Sequence, residues 1–361
     1  MSQNLFLIIL ISSLLVIYST LKTAGITHDE GPDNGGNYGP YVQSERKPLY
    51  KEYAQKLVEL GGAYYCFCEK CEEAEAEPGE EEKNEFSDGR CPGHCDELSQ
   101  EEVQAKLAAN VPYVIRQRID RSGSTKFNDS VFGEIEIENK VLDDQILLKQ
   151  DGMPTYNFAN VIDDHLMGIT HVMRGTEYLS STPKYNLLYE ALGWTPPTYV
   201  HLTPVMVEGT LRDKKTGVYT METDEKGNLV LDENGQPKKA IVKRKMSKSQ
   251  GDPSFEDLLS QGYLTEAIVN YVALLGWSPR GDKAEQEVFS LEELAKAFDL
   301  HGMSKSPAIF DIEKLTHFNA LYLRAMSPAD YAKVAEPYIR QGVKGEQFDV
   351  AQIAGLLQAR C

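Results

Sequence analysis

The sequence predicts an α/β fold in its middle part and an all-helical region after it. Helix-type and strand-type patterns alternate between about residue 44 and residue 276, and only helix-type patterns follow. The chain has 361 residues, of which 41% are hydrophobic and 25% are charged, so it can bury a sizeable core. At roughly 100–200 residues per domain, this length corresponds to two or three domains. The same composition excludes an intrinsically disordered chain, a coiled coil and a polytopic membrane protein.

Helices are expected where apolar side chains recur at helical spacing and a glycine follows at once. The segments with this pattern are 44–60, 185–192 and 266–275. Thr182-Pro183 favours the start of the second helix, and Thr265 is expected to cap the third. A further helix is expected over 348–361.

Strands are expected at three positions in the middle of the chain. Residues 112–119 and 134–137 alternate between apolar and polar side chains, and 200–207 is apolar enough to be one buried strand. The segment 207–240 contains hairpin turn signals at 213–217 and 232–235, so we expect an inserted β-ribbon there.

Charge is unevenly distributed. With 37 basic and 55 acidic side chains the formal net charge is −18, which excludes a uniformly basic nucleic-acid-binding surface. Residues 69–102 contain 14 acidic and 3 basic side chains and so account for −11 of that total. By contrast, 238–248 contains six basic side chains and no acidic one, so a local polyanion contact is compatible with the sequence.

Five of the six cysteines lie within thirty residues of one another, at 66, 68, 71, 91 and 95. So few cysteines do not form a disulfide framework in a chain of this length, and their clustering is typical of a metal site. The pairs Cys66/Cys68 and Cys91/Cys95 offer four soft ligands, with His94 and Cys71 as further candidates. The alternative is a group of reduced, unligated thiols.

Residues 5–18 form an apolar run interrupted by two serines. A bilayer span needs about 20 such residues and a signal peptide needs a basic start, and this segment provides neither. It is interpreted as a start foreign to the gene, with a weak membrane anchor and a buried helix as the alternatives.

A basic pentamer, Lys245-Met246-Ser247-Lys248-Ser249, has the form of the KMSKS signature of class I aminoacyl-tRNA synthetases. When a carboxylate attacks the α-phosphate of ATP, negative charge develops on that phosphate and on the departing pyrophosphate, and nearby ammonium groups stabilise it. A lysine-rich pentamer alone is also compatible with a solvated surface loop. The partial match at 303–306 lacks the leading lysine and is interpreted as structural.

Upstream of this pentamer, 156–175 and 179–183 resemble the glutamate-pocket segment of glutamyl-tRNA synthetases. Matches at 29–32, 39–46 and 305–311 extend the resemblance from about Ile17 to the C-terminus. The resemblance implies a Rossmann-type nucleotide-binding domain, split by an inserted α+β domain that binds the tRNA acceptor end and followed by a helical stem-contact region. The implied boundaries are 1–16 (non-family apolar segment), 17–63 (first Rossmann half), 64–148 (insertion), 149–262 (second Rossmann half, with the ribbon 207–240), 263–345 (stem contact) and 346–361 (start of the anticodon-binding domain).

The resemblance also implies roles for individual residues. Tyr156, Asn160 and Arg174 would line the amino-acid pocket, and a planar guanidinium suits the planar carboxylate of glutamate. ATP would contact Glu177, Tyr178 and 245–249, with Lys245 and Lys248 as the catalytic residues. Without the resemblance, Arg174 is interpreted as part of a structural ion pair. Tyr156 and Asn160 are then interpreted as packing and a helix cap, and Glu177 and Tyr178 as ordinary surface residues. Tyr178 departs from the tryptophan often found in the family, and the neighbouring 163–165 and His171 are interpreted as structural.

The implied cofactors are ATP and Mg²⁺, with structural Zn²⁺ on Cys66, Cys68, Cys91 and Cys95. Here Gly93 occupies a position at which zinc-binding family members have a ligand, so His94 or Cys95 must supply that ligand instead. The implied partners are tRNA(Glu) and L-glutamate, and a cytoplasmic monomer without a membrane partner is expected.

The expected activity is that of a glutamate–tRNA ligase. No histidine motif of the HIGH type precedes Ile17 and little of an anticodon-binding region follows, so the chain is expected to be truncated at both ends and could be inactive as a fragment. The alternatives are a non-catalytic tRNA- or zinc-binding remnant, a glutamyl-queuosine tRNA(Asp) synthetase relative and a membrane-tethered protein.

Overall fold

The computed structural model describes residues 16–68, 89–213, 216–224, 226–343, 345 and 348–361. Helices and mixed sheets alternate along the chain, which confirms the α/β prediction. The chain divides into two compact units. His28–Leu202 is called the N-proximal unit, and Thr203–Cys361 with the residues up to Thr27 is called the C-proximal unit.

The N-proximal unit contains two sheets and the helices around them. Its strands are β1 (Ala63–Cys66), β2 (Val114–Gln117), β3 (Ser124–Asp129), β4 (Gly133–Glu138), β5 (Ile146–Leu148), β6 (His171–Gly175) and β7 (Thr198–Leu202). Its α-helices are α1 (Lys47–Glu59), α2 (Gln100–Ala108), α3 (Tyr156–Leu166) and α4 (Thr182–Leu192).

The four-stranded sheet of this unit has the order β4-β3-β7-β6. β3 and β4 form an antiparallel hairpin, whereas β6 and β7 are parallel and α4 connects them, as a parallel pair requires. The register pairs Arg174 in β6 with His201 in β7, and Asp129 at the end of β3 with Tyr199. A polar constellation is therefore assembled at one edge of the sheet from segments far apart in sequence.

The second sheet, β1-β2-β5, is antiparallel and packs against α1. The main core lies between α1, α3, α4 and this sheet, and its members are among the most buried apolar side chains of the unit: Tyr50, Leu57, Ile115, Leu147, Phe158, Ile162 and Leu188. Burying one such side chain stabilises the fold by about 1.5–3 kcal/mol, so this core holds α3 and α4 in place.

The C-proximal unit has a small sheet of order β10-β8-β9, with β8 at Val205–Thr210, β9 at Ile241–Lys245 and β10 at Ala308–Ile309. Between β8 and β9, short antiparallel bridges such as Arg212↔Tyr219 and Thr223↔Leu229 form a ribbon. After Thr203 its α-helices are α5 (Phe255–Ser260), α6 (Thr265–Ala273), α7 (Leu291–Ala297), α8 (Ile312–Ala325), α9 (Pro328–Gly342) and α10 (Val350–Gln358).

Two local predictions are wrong. The expected single strand over 200–207 is two strands in different sheets, because β7 ends at Leu202 and β8 begins at Val205. Pro204, which has no N–H to donate to a ladder, lies in the gap. Thr265 does not cap α6 either: the N-cap residue is Leu264, whose backbone N–H donates to Oδ1 of Asn319 at 2.8 Å.

Most of the apolar run 5–18 lies outside the described residues, and 16–23 are helical. Within the described part of the chain, no helix combines the length and apolar character that crossing a bilayer demands.

Candidate functional site

Arg174 is the centre of the polar constellation in the N-proximal unit. Its Nε donates to Nε2 of His201 at 3.2 Å, and its Nη2 donates to Oγ1 of Thr182 at 3.0 Å. The Thr182 hydroxyl itself donates to the carbonyl oxygen of Tyr178 at 2.8 Å, so it accepts from Arg174 through a lone pair. Within the described residues, Arg174 makes no ion pair at salt-bridge distance, although its charge acts on the nearby Asp164.

Three tyrosine rings surround the Arg174 guanidinium. Its central carbon lies 4.7 Å from the ring centroid of Tyr185, 5.1 Å from that of Tyr178 and 5.6 Å from that of Tyr199. Burial raises the pKa of Tyr185 and of Tyr199 above the ordinary value, so both rings carry neutral hydroxyls. Aromatic faces attract a guanidinium, and the cage therefore keeps a fixed positive charge in one orientation.

Behind Arg174 lies a buried carboxylate–imidazole pair that the sequence analysis did not identify. The side chains of Asp129 and His201 are both 0% exposed, and Nδ1 of His201 lies 2.7 Å from Oδ2 of Asp129. Asp129 also accepts the backbone N–H groups of His201, Val131 and Phe132. Burial lowers the pKa of His201 below its ordinary value against the opposing effect of Asp129, so the imidazole is neutral at pH 7.

α3 brings the other two predicted pocket residues to one helical face. Tyr156 is 51% exposed, and its ring centroid lies 5.5 Å from that of Tyr178. One turn later, both polar side-chain atoms of Asn160 are buried and meet no hydrogen-bond partner within the described residues. A buried amide without a partner is costly, so Asn160 is suited to contact a polar ligand.

Glu177 and Tyr178, predicted to contact the nucleotide, lie in the short 3₁₀ helix Thr176–Tyr178 directly after β6. Glu177 is exposed, whereas Tyr178 is half-buried between Tyr156 and Arg174. Burial and the neighbouring Tyr156 hydroxyl raise the pKa of Tyr178 to about 12. The aromatic contact explains the placement of Tyr178, and the carboxylate of Glu177 lies over the backbone of Gly175.

Asp163 and Asp164, interpreted as structural, differ in environment. Asp163 accepts from Nε of Arg46 at 2.7 Å and from the Tyr50 hydroxyl at 2.8 Å, which is a structural role. Burial raises the pKa of Asp164 to about 6, although the nearby Arg174 charge opposes this shift.

In the C-proximal unit the KMSKS pentamer begins at the last residue of β9 and continues into the 3₁₀ helix Lys248–Gln250. The side chains of Lys245, Lys248 and Ser249 are exposed, and those of Met246 and Ser247 are half-buried. The backbone N–H of Met246 donates to the carbonyl of Val205 at 3.0 Å and so ties the loop to β8.

An ion pair that the sequence analysis did not predict contacts the backbone of the pentamer. Arg244 donates to both oxygens of Asp252, with distances of 2.5 and 2.9 Å, and Oδ2 of Asp252 also accepts the backbone N–H of Ser247 at 2.7 Å. The side chains are 11% and 13% exposed. Arg244 holds the pKa of Asp252 below its ordinary value, so the pair is ionised at neutral pH. We call Arg244, Asp252 and the Ser247 N–H the loop clasp.

The partial match at 303–306 has a different environment. Met303 packs against the small core around Trp277, and the Ser304 hydroxyl donates to the carbonyl of Ser306 at 3.1 Å. These contacts agree with the structural interpretation of this segment.

The four predicted cysteine ligands converge at the edge of the β1-β2-β5 sheet. Cys66 ends β1, and Cys91 and Cys95 bracket a turn, so that the sulfur atoms of Cys66, Cys68, Cys91 and Cys95 all lie within 4.8 Å of one another. Four thiolates about 2.3 Å from a common centre would lie about 3.8 Å apart in a tetrahedron. The observed cluster has the size of a four-thiolate metal site.

Local contacts support thiolate character in this cluster. Cys91 accepts the backbone N–H of Cys95 at 3.0 Å, and the hydrogen bond with Cys66 lowers the pKa of the Cys91 thiol well below its ordinary value. A side chain at Gly93 would place its Cβ 2.8 Å from the Cys68 sulfur, so glycine leaves this sulfur its present position. His94 has a left-handed φ of 46° and lies outside the four-sulfur group, and Cys71 lies outside the described residues.

The residues that sequence reasoning missed are polar groups inside otherwise apolar strands or at strand ends. His201 stands in the predicted buried segment 200–207, and a buried imidazole must have a polar partner. That signal indicated that a partner exists, but only the pairing of β6 with β7 and of β7 with β3 identifies Arg174 and Asp129.

Comparisons with known proteins point to one family. The sequence profile of the family described as tRNA synthetases class I (E and Q), catalytic domain, matches residues 14–231 and 229–317. A glutamate–tRNA ligase of Clostridium botulinum is 50% identical over 347 residues, which are 96% of this chain and 63% of that protein. The corresponding ligase of Clostridium acetobutylicum is 48% identical over 349 residues, 96% of this chain and 64% of that protein.

Among solved structures, a glutamate tRNA ligase from Elizabethkingia meningosepticum in complex with its amino acid superposes with a TM-score of 0.70 at 30% identity, covering 96% of this chain and 66% of that one. The chain spans about 63% of the length of the curated Clostridium botulinum relative. The family profile covers well over half of the sequence, and the chain therefore belongs to the class I tRNA synthetases for glutamate and glutamine.

Proposed function

We propose that this chain acts as a glutamate–tRNA ligase, which activates L-glutamate with ATP and transfers it to tRNA(Glu). The observation that carries the proposal is the caged guanidinium of Arg174, with N–H groups left for a ligand, within the segment that resembles a glutamate pocket. In the first step a carboxylate oxygen of glutamate bonds to the α-phosphorus of ATP and pyrophosphate leaves. In the second step a ribose hydroxyl of the terminal tRNA adenosine takes the acyl group, and AMP leaves.

Arg174 would bind the side-chain carboxylate of glutamate. Two of its five N–H groups are used by His201 and Thr182, so three remain for a planar carboxylate. Glutamine would present an amide N–H to one of these donors and would lack the opposite charge. The buried amide of Asn160 and the half-exposed ring of Tyr156 would complete the pocket.

Glu177 and Tyr178 would contact the ribose and the adenine of ATP. A carboxylate accepts hydrogen bonds from a diol, and an aromatic ring stacks on a purine. Mg²⁺ would enter with the ATP phosphates and neutralise part of their charge.

The pentamer 245–249 would stabilise the phosphoryl transition state. Lys245 and Lys248 are exposed at the end of β9, where their ammonium groups can meet charge that develops on the α-phosphate and pyrophosphate. The loop clasp would hold the backbone of Ser247 in place.

The cysteine cluster would bind structural Zn²⁺ as a four-thiolate site. Four convergent sulfur atoms and the glycine at 93 support Cys95, and not His94, as the fourth ligand. A tetrahedral thiolate site supplies folding free energy where the surrounding apolar cluster is small. The inserted segment around it would contact the tRNA acceptor end, and a role in translation corresponds to a cytoplasmic monomer.

The test is ATP–pyrophosphate exchange with purified protein, glutamate and tRNA(Glu), run in parallel with glutamine. Glutamate-dependent exchange is expected, and Arg174→Lys should reduce it by about 10²-fold, because an ammonium cannot replace the bidentate fork. The exposed Arg340→Lys is the matched control. If no exchange occurs while tRNA still binds, the ligase proposal is wrong and the non-catalytic tRNA-binding alternative applies.

A further inference from the structure

The buried pair Asp129–His201 has a geometry that specifies where its proton lies. Asp129 accepts four hydrogen bonds, of which the shortest joins its Oδ2 to Nδ1 of His201 at 2.7 Å. A carboxylate oxygen only accepts, so Nδ1 of the imidazole must carry the hydrogen. In a neutral imidazole the other nitrogen, Nε2, then has only a lone pair.

That lone pair is directed at Arg174. Nε of Arg174 donates to Nε2 of His201 at 3.2 Å. The Thr182 oxygen lies 3.4 Å from the same nitrogen, but its hydrogen is donated to the carbonyl of Tyr178. The pairing of β6 with β7 places Arg174 and His201 side by side, and Asp129 reaches His201 from the end of β3. Each donor has one acceptor, and the chain runs in one direction from Arg174 to Asp129.

We propose that Asp129 and His201 are positioning residues that orient the Arg174 guanidinium, and that they thereby set the preference for a carboxylate over an amide in the amino-acid side chain. Asp129 selects the imidazole tautomer whose Nε2 accepts from Arg174. The opposite tautomer would present N–H to N–H and rotate the guanidinium away from its cage. This inference rests on the proposed function, because it takes Arg174 as the residue that binds the substrate carboxylate.

Two substitutions at one position separate positioning from core filling. In His201→Asn the amide reaches only the position of Nδ1, so it can donate to Asp129 but leaves Nε of Arg174 without an acceptor. In His201→Gln the amide oxygen can reach the position of Nε2 and accept from Arg174. Both variants remove the ring, so a purely structural role predicts similar effects for both.

The first measurement is the Kd of L-glutamate and of L-glutamine by calorimetric titration of the whole chain. His201→Asn is expected to weaken glutamate binding by about 10–100-fold, the scale of one hydrogen bond to a charged group, and to leave glutamine binding nearly unchanged. His201→Gln is expected to stay within about threefold of the unsubstituted protein. Equal losses in both variants, or none in His201→Asn, would overturn the proposal.

The second measurement does not need substrate binding. Long-range ¹H–¹⁵N correlation spectra of ¹⁵N-histidine-labelled protein report the tautomer of each imidazole, and His201→Gln identifies the resonance of His201. The Nδ1–H form is expected in the unsubstituted protein, with loss of that single form in Asp129→Asn. An Nε2–H form in the unsubstituted protein would overturn the positioning role.

The two measurements also separate this inference from the proposed function. Failure of the unsubstituted protein to prefer glutamate over glutamine would refute the proposed amino-acid pocket and the specificity role with it. A clear preference for glutamate that survives His201→Asn would leave the pocket intact and refute only the inference.

Discussion

The loop clasp beneath the KMSKS pentamer gives a prediction whose size follows from its contacts. Asp252 accepts two hydrogen bonds from Arg244 and one from the backbone of Ser247, and both charged side chains are nearly buried. In Asp252→Asn only one acceptor oxygen remains, and the new amide N–H groups face the N–H groups of Arg244 and Ser247. We therefore expect the pentamer to open more often.

Hydrogen bonds that involve a charged group contribute about 1.5–3 kcal/mol each, and asparagine retains part of this contribution. A net loss of about 2–3 kcal/mol in the free energy of local opening is expected, which is a factor of roughly 30–150 in the opening equilibrium. Arg244→Gln should have a similar effect. The double variant should lose little more than either single one, because both changes break the same contact.

The assay is amide hydrogen exchange of peptides that contain 245–252, followed by mass spectrometry at neutral pH. Lys243→Gln is the control, because the ion pair of Lys243 with Glu208 is 3.4 Å long and exposed and should contribute little. Unchanged exchange in Asp252→Asn, or fully additive effects in the double variant, would refute the clasp.

Three further predictions concern the cysteine cluster, the KMSKS pentamer and a buried carboxyl group. Cys95→Ser should lower bound zinc, measured by atomic emission, from about one equivalent to a small fraction and reduce the Tm, whereas Cys361→Ser should retain the metal; equal zinc in both variants would contradict a four-cysteine site. Lys248→Ala should slow glutamate-dependent ATP–pyrophosphate exchange by about 10²–10³-fold without raising the KM for glutamate, and an unchanged rate would exclude its phosphoryl role. Burial raises the pKa of Asp164 to about 6 in the folded protein, so the folded state holds the proton more tightly than the unfolded state does. The free energy of unfolding should therefore fall as the pH rises from about 4 to about 6. Asp164→Asn should remove this slope. The free energy of unfolding of the variant minus that of the unsubstituted protein should therefore be about 2 kcal/mol larger at pH 7.5 than at pH 4.5. Urea titrations of both proteins at the two pH values measure it, and parallel pH dependences would show that Asp164 is not the group responsible.

Much of the local structure of this protein can be predicted from its sequence, because it depends on residues that are close together in the chain. Helix signals such as Thr182-Pro183 and Gly193 depend on neighbouring residues only, and α4 begins and ends where they predict. The KMSKS pentamer and the clustered cysteines are likewise contiguous or nearly so, because their chemistry needs several like groups within a short stretch. Tyr156 and Asn160, which we propose line the pocket, could be assigned to one face because a helix repeats every 3.6 residues.

Tertiary structure decided what lies around these residues. The Asp129–His201 contact joins residues 72 positions apart, and no period in the sequence relates them. The break at Pro204 decided that 200–207 is two strands, so His201 joined the sheet of Arg174 while Val205 joined another.

The convergence of the Cys95 sulfur with three others, while His94 lies outside the group in a left-handed turn, likewise depends on the folded chain. The sequence by itself thus determined the family, the reactive motifs and the local elements. Strand register and close packing decided which polar groups hold Arg174 and Ser247 in place, because these contacts form only when distant segments are brought together in the fold.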